Sequence, residues 1–242
     1  MKLSGIILML VVCLPFTAQA EKIIFSTGNL PPYEYREGGQ VVGMNIDIIR
    51  ELCKRIGVEP EFVEMPWKRT LKEAERGTIS AIFALHFKEE RQKFLYYTSE
   101  PIFIVKLACF VQKKKDIRVT SPEDLRGKSI GVISDYSYGP EFDRYKGLKK
   151  VYCGDSEELA RILDGGRIDA ALDFEIPFRF FARQQGSQDK IRKAFVLTEA
   201  PLYIGVSKAL GQRGHILAED FSRELARLKK EGLIQRILDR YR

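Results

Sequence analysis

Histidine is scarce in this 242-residue chain: the two copies, His86 and His215, have no partner at metal-ligand spacing. Cysteine is also scarce, with four copies and no Cys-x-x-Cys pair. Together these exclude the usual zinc ligand sets, and no metal or cofactor is expected. No basic run exceeds Lys113-Lys114-Lys115, although Lys and Arg outnumber Asp and Glu by 40 to 33. An excess so dispersed lacks the stripe or tail of a nucleic-acid binder, so no nucleic-acid partner is expected. The mild basicity favours acidic small molecules or an anionic surface. Glycine and proline are ordinary in number and unclustered, which excludes collagen-like and low-complexity chains. With 45% hydrophobic and 30% charged residues, the chain has ample material for a packed core, in one large domain or two small ones.

One long apolar run stands out. After Lys2, residues Leu3 to Phe16 are nearly all apolar, Pro15 interrupts them, and Ala18 and Ala20 supply an Ala-x-Ala site. Residues 1–20 therefore read as a secretory signal peptide cut before Glu21, with an uncleaved anchor helix as the alternative. The run is short against the ~20 residues that span a bilayer. Val12 stands where a lipoprotein signal needs a small residue, which argues against lipidation at Cys13. Loss of Lys2 with the signal lowers the net charge from +7 to +6. Cys53, Cys109 and Cys153 remain, so at most one disulfide can form. Their apolar settings favour buried free thiols.

The exported part alternates strand and helix. Ile23 to Ser26 reads as a strand, followed by the turn-rich Gly28-Asn29-Leu30-Pro31-Pro32. Ile46, Ile49, Leu52, Cys53 and Ile56 recur at helical spacing, and Gly57 stops that helix. Glu61–Glu64 is a second strand, Trp67–Arg76 a helix closed by Gly77, and Ile79–Phe83 a third strand. The pattern then restarts. A capped turn follows Ser121, a strand covers Ser129–Ile133, a helix capped by Ser156 runs to Leu163, and a strand covers Ile168–Leu172. Leu163 to Leu172 echoes Glu75 to Ile82, which suggests two similar α/β lobes with largely parallel sheets. Phe103–Val111 and Leu202–Val206 are the runs that could join them, and a single C-terminal helix from Phe221 to Leu238 is expected to return to the first lobe. Lobe 1 is then 21–106 with 203–242, and lobe 2 is 107–202. Two crossing strands between lobes form a hinge beside a cleft.

Pro32-Tyr33-Glu34-Tyr35, Val42-Gly43-Met44-Asn45-Ile46-Asp47, Glu89-Glu90-Arg91 and Tyr97-Thr98-Ser99-Glu100-Pro101-Ile102 follow one another in the first lobe. Asp124-Leu125-Arg126-Gly127-Lys128-Ser129-Ile130-Gly131-Val132 and Gly166-Arg167-Ile168-Asp169-Ala170-Ala171 follow in the second. In order and spacing they resemble the bacterial extracellular solute-binding proteins, family 3. The resemblance implies a two-lobed α/β fold of the periplasmic-binding-protein type II, a periplasmic location, a monomer, and delivery of a small anionic or zwitterionic solute to an ABC permease in the inner membrane. It also implies that an arginine, matched here by Arg91, takes a ligand carboxylate through a bidentate contact. The alternative for Arg91 is a surface ion pair with Glu89 or Glu90. Trp67 matches a position that packs on the solute, against an alternative in the lobe core. Tyr33 lies in the loop after the first strand, where open α/β sheets place ligands, or packs under its own turn. Arg69 could add a second cation or lie on a solvated helix face. Ser137 matches a hydroxyl contact, and Tyr136 and Tyr138 wall the cleft or pack in lobe 2.

The chain departs from the family where an α-amino acid would be held. Small hydroxyl residues before the arginine motif are replaced by Phe83-Ala84-Leu85-His86, leaving His86 as the polar group. The family's ammonium-binding aspartate aligns with Phe174, and Asp173 could take its role if the strand has ended before it. The half-cystine partner of the Cys53 position is Pro60 here. A binding protein that shifts an open–closed equilibrium is the function these features imply. The alternatives are a periplasmic sensor for a separate signalling partner, and a dehydratase-like enzyme using His86 with Asp173 or Glu175.

Overall fold

The computed structural model describes residues 20–115, 117–134, 138, 142 and 147–241. The signal-peptide reading falls outside these except at Ala20, and Tyr136 and Ser137 also lie outside the described residues. In chain order the elements are β1 (Lys22–Thr27), β2 (Tyr35–Glu37), β3 (Gln40–Val42), α1 (Met44–Ile56), β4 (Glu59–Glu64), α2 (Trp67–Arg76), β5 (Ala81–Leu85), β6 (Leu95–Tyr97), β7 (Phe103–Gln112) and β8 (Ser129–Ile133). They continue with β9 (Lys149–Cys153), α3 (Ser156–Asp164), β10 (Ala170–Phe174), α4 (Glu175–Gln184), β11 (Ile191–Ser207), α5 (Gln212–Lys230) and α6 (Leu233–Arg240).

Apolar residues at helical spacing bury one face of α1, through Met44, Ile48, Ile49, Leu52 and Cys53. Gly57 ends it at φ 74°, a left-handed cap that donates to the Cys53 carbonyl. Gly77 ends α2 in the same way at φ 83°. In lobe 1, β1 lies between β4 and β5 and runs parallel to both. In lobe 2, β8 lies between β9 and β10, again parallel to both. The sequence echo has a structural counterpart: β5 and β10 each follow a glycine-closed helix, and each pairs antiparallel with a strand that joins the lobes.

That junction is the centre of the fold. The 17-residue β11 pairs antiparallel with β7 from Ile191↔Gln112 to Leu202↔Phe103. Beyond Leu202 it changes partners, pairing with β5 through Tyr203–Val206 and with β6 through Gly205–Ser207. One strand thus belongs to both sheets, and the order β4-β1-β5-β11-β7-β10-β8-β9 runs unbroken across the molecule. Lys106 and Glu199 close an ion pair of 2.9 Å across the two joining strands.

The core of lobe 1 is drawn from both ends of the chain. Phe25, Ile49 and Leu52 pack with Phe221, Leu225 and Ile237 of α5 and α6, so the C-terminal helices share a core with β1 and α1. In lobe 2, Phe110 and Phe178 stack with ring centroids 4.1 Å apart. Full burial of each such side chain contributes roughly 1.5–3 kcal/mol.

Three local expectations are corrected. The C-terminal helix is two helices, broken at Gly232 with φ 69°. Ser156 is the first helical residue of α3; Asp155 is its cap and accepts the Glu158 N–H. The joining run expected at Leu202–Val206 is the end of a strand that begins at Ile191.

Gly43 has φ 126°, and a Cβ there would stand 2.5 Å from the Tyr33 carbonyl oxygen. Gly43→Ala is expected to destabilise the protein by about 2 kcal/mol or more in urea unfolding. Gly38→Ala, at φ 57° with nothing within 4 Å, is expected to cost only about 1 kcal/mol.

Candidate functional site

The loop after β1 is fixed by its own turn and by the start of α1. The Tyr33 N–H donates to the Leu30 carbonyl at 2.8 Å. The Pro32 and Tyr33 carbonyls accept the N–H groups of Met44 and Asn45, both at 2.9 Å. Gly43 has no side chain with which to cap α1, so the loop carbonyls satisfy two donors that a helix start leaves open. This docking places Glu34 beside Asn45, whose amide Nδ2 donates to Glu34 Oε2 at 2.6 Å. Burial outweighs that bond and pushes the half-buried Glu34 carboxyl up to about 7. Glu34 has no cationic partner among the described residues, and the Asn45 Oδ1 is buried without a hydrogen-bond partner.

Arg91 sits in a short 3-10 turn, Glu89–Lys93, and is only 9% exposed. Its Nη1 donates to the His86 carbonyl at 3.3 Å, and its guanidinium carbon lies 5.2 Å from the centroid of the Trp67 ring. Among the described residues no carboxylate lies within ion-pair distance of Arg91; Glu90 pairs instead with Lys88 at 3.8 Å. Buried charges are ordinarily paired, so this guanidinium has the chemistry to take an anion.

Two adjoining cavities share Glu34 as a wall. One, of about 110 Å³, lies in lobe 1 between Trp67, Thr70, Ser26 and Glu34. The other, of about 160 Å³, is lined by Tyr33, Glu34, Asn45 and His86 of lobe 1, by Val105 and Leu202 of the joining strands, and by Phe174 and Pro177 of lobe 2. It is therefore an interlobe cleft at the hinge. Two larger grooves, of about 870 and about 530 Å³, each lie within one lobe; the second is lined by Glu175, whose carboxylate is already held by Arg179 and Lys193.

The expected site residues divide accordingly. Tyr33 is 6% exposed, stacks on Phe103 at 6.1 Å and also lines the interlobe cavity, so its two readings coexist. Trp67 is 46% exposed at the first position of α2, beside the cavity and outside the lobe core. His86 is exposed and lines the cleft. The other placements are corrections. Arg69 lies on a solvated helix face, its side chain 68% exposed and 3.9 Å from Glu73. Tyr138 is a lobe-2 core residue that packs on Phe142, and its hydroxyl accepts the Ile133 N–H at 2.6 Å. Asp173 is fully buried, because β10 continues through Phe174 and turns this side chain inward. There it accepts the Phe174 N–H at 2.7 Å and a bond from Ser156, while burial pushes its carboxyl up to about 7. Glu175 is held by Lys193 and Arg179, both at 2.9 Å, so neither carboxylate faces His86 across the cleft.

Glu34 and Asn45 line the interlobe cavity and were not among the expected residues, although both sit inside motifs that carried the family resemblance. The available signal was a carboxylate in the first post-strand loop, where ligands gather in open α/β sheets. The cysteines are free and buried, and burial raises the thiols of Cys53 and Cys109 to about 12 and that of Cys153 to about 11, which keeps them protonated at neutral pH.

Two α/β lobes joined by crossing strands, with a cleft at the joint, have the architecture of a solute-binding protein. The chain belongs to the bacterial extracellular solute-binding proteins, family 3, whose model matches residues 23–242. A histidine-binding periplasmic protein of Escherichia coli is 28% identical over 217 residues, which cover 87% of this chain and 83% of that protein. An arginine-binding periplasmic protein of Mannheimia haemolytica is 27% identical over 231 residues, covering 93% and 92% respectively. The second substrate-binding domain of a putative amino acid ABC transporter from Streptococcus pneumoniae has the same fold, with a TM-score of 0.75 at 23% identity, covering 91% of this chain and 99% of that one. Among the described residues no helix is long and apolar enough to cross a membrane.

The buried carboxyl of Asp173 makes a prediction with a definite sign. An acid whose folded pKa is raised weakens the fold as pH climbs from its unfolded value near 4 through about 7, by about 1.4 kcal/mol for each unit of displacement. Asp173→Asn, which keeps an acceptor for the Phe174 N–H, is expected to raise the melting temperature at pH 8 and to change it little at pH 4. A variant less stable at pH 8 would show that the ionised carboxylate is wanted there.

Proposed function

We propose that this chain is a periplasmic receptor that captures an amino-acid-like solute in the cleft between lobes 21–106 with 203–242 and 107–202. The solute's carboxylate lies on Arg91 and its body against Trp67, with Tyr33 and His86 completing the lobe-1 wall. Closure of lobe 2 brings Phe174 and Pro177 onto the solute. The receptor acts as a monomer, releases the solute unchanged and delivers it to an ABC permease in the inner membrane. The observation that carries this reading is the buried Arg91, stacked on Trp67, with no carboxylate partner among the described residues. A guanidinium so placed presents a planar fork of donors to an incoming carboxylate. The names of the relatives support an amino acid as the solute class. An enzymatic reading loses its acid–base pair, since Asp173 and Glu175 are engaged elsewhere.

A thermal-shift panel of the common amino acids should return at least one strong stabiliser, recovered chemically unchanged. By calorimetry with that amino acid, Arg91→Ala should weaken affinity by about a hundredfold or more, and Trp67→Ala by about tenfold. Arg69→Ala should leave it as it was. Wild-type affinity in both of the first two variants would refute the placement of the site.

A further inference from the structure

We infer that the interlobe cavity is the pocket for the solute's side chain and that it selects an apolar one, aliphatic or aromatic, over a charged one. This rests on the cleft reading given above and names the solute class within it. The cavity takes its walls from three parts of the molecule: Leu30 and Ala84 of lobe 1, Val105 and Leu202 of the joining strands, and Phe174 and Pro177 of lobe 2. None of these six side chains carries a hydrogen-bonding group. Arg91 does not line the cavity, but its Nη1 lies 3.3 Å from the carbonyl of His86, which does. A solute whose carboxylate rests on Arg91 can therefore extend past His86 into the hinge, where its far end meets carbon.

The polar groups on the wall do little to welcome a charge. Glu34 and Asn45 are engaged with each other, Asn45 Nδ2 donating to Glu34 Oε2 at 2.6 Å. Burial holds the Glu34 carboxyl at about 7, above the ordinary carboxylate range, so this wall carries no full negative charge at neutral pH. Tyr33 is fixed by its stack on Phe103 at 6.1 Å. A charged side chain entering here gives up water against the hinge strands and lobe 2 and gains no hydrogen bond from their side chains in return, a cost that Glu34 offsets only in part. An apolar side chain has no such cost. Size points the same way: an apolar cavity of ~150 Å³ takes a guest the size of benzene, and this one holds about 160 Å³. The side chains of leucine, methionine and phenylalanine fall near that size.

The test is calorimetry on the full exported chain with alanine, leucine, methionine, phenylalanine, glutamine, histidine, lysine and arginine. The best binder should be leucine, methionine or phenylalanine, about tenfold or more tighter than alanine, which leaves the cavity unfilled, and than any of the three basic amino acids. Its binding should also show a more negative heat-capacity change than that of alanine, the mark of apolar burial. Phe174→Ala, which strips the lobe-2 wall, should weaken the best binder about fivefold or more and move alanine by less than about twofold. A fold merely loosened by the substitution would lower both alike. Tighter binding of glutamine or of a basic amino acid than of every apolar one, or alanine bound as tightly as the larger three, would overturn the selection, while Arg91→Ala still reports separately on the carboxylate site. Wild-type affinity in Arg91→Ala would instead overturn the cleft reading, and if no amino acid of the series binds, both fall.

Discussion

A guanidinium held out of water without a counter-ion is the constraint around which the cleft is organised. Arg91 has two neighbours that tolerate a cation, the His86 carbonyl and the face of Trp67, and neither neutralises it. A carbonyl dipole and an aromatic quadrupole orient the charge and offset part of its desolvation, each contributing on the order of 1 kcal/mol. On the proposed reading a bound anion offsets the remaining cost, and that gain is what binding supplies to closure.

The scaffold explains why that charge sits where closure can reach it. β11 serves both sheets, so the lobes share one continuous strand and cannot separate by sliding. They can bend where β11 exchanges β7 for β5 near Leu202 and Tyr203. The interlobe cavity lies at this point, with Val105 and Leu202 in its floor. A small rotation there moves Phe174 and Pro177 relative to Glu34 and His86; Phe25 with Phe221 and Phe110 with Phe178 each pack within one lobe, while Ile176 and Phe174 pack against the lobe-1 core and shift with the rotation. Tyr33 couples loop and hinge directly, through its stack on Phe103 at the start of β7.

Much of the fold was legible because its signals are local. Apolar periodicity and the glycines at 57 and 77 set α1 and α2, and the alternation of short strands with helices set the two sheets. β11 was legible only at its end, because Ile191–Pro201 carries polar residues on a half-exposed strand whose extended form is imposed by pairing with β7. The site was less legible. Whether Arg91 meets Glu90 or a ligand is decided by Lys88 taking the glutamate, a contact that spacing leaves open. Asp173 turns on a single residue of strand length, since one more residue in β10 sends the side chain into the lobe. The setting of Glu34 is not legible from its motif, since it depends on Gly43 letting α1 approach the Tyr33 carbonyl and bring Asn45 within reach.

The loss of hydroxyl residues before the arginine motif has a structural counterpart in the backbone. Ala84 stands at φ 53°, where a Cβ is unfavourable by roughly 1–2 kcal/mol. Opposite it, the pairing of β11 with β5 shifts register between Tyr203 and Gly205. The strand is thus kinked at the cavity wall, and the residue two places on is His86, whose carbonyl accepts from Arg91 and from the Tyr97 hydroxyl. The kink turns the His86 main-chain oxygen toward Arg91. A carbonyl accepts but does not donate, so this wall orients the guanidinium and, on the proposed reading, leaves the solute's carboxylate to Arg91. On that reading polar recognition on lobe 1 rests on the Arg91 guanidinium, with Trp67 and the rest of the cleft supplying shape.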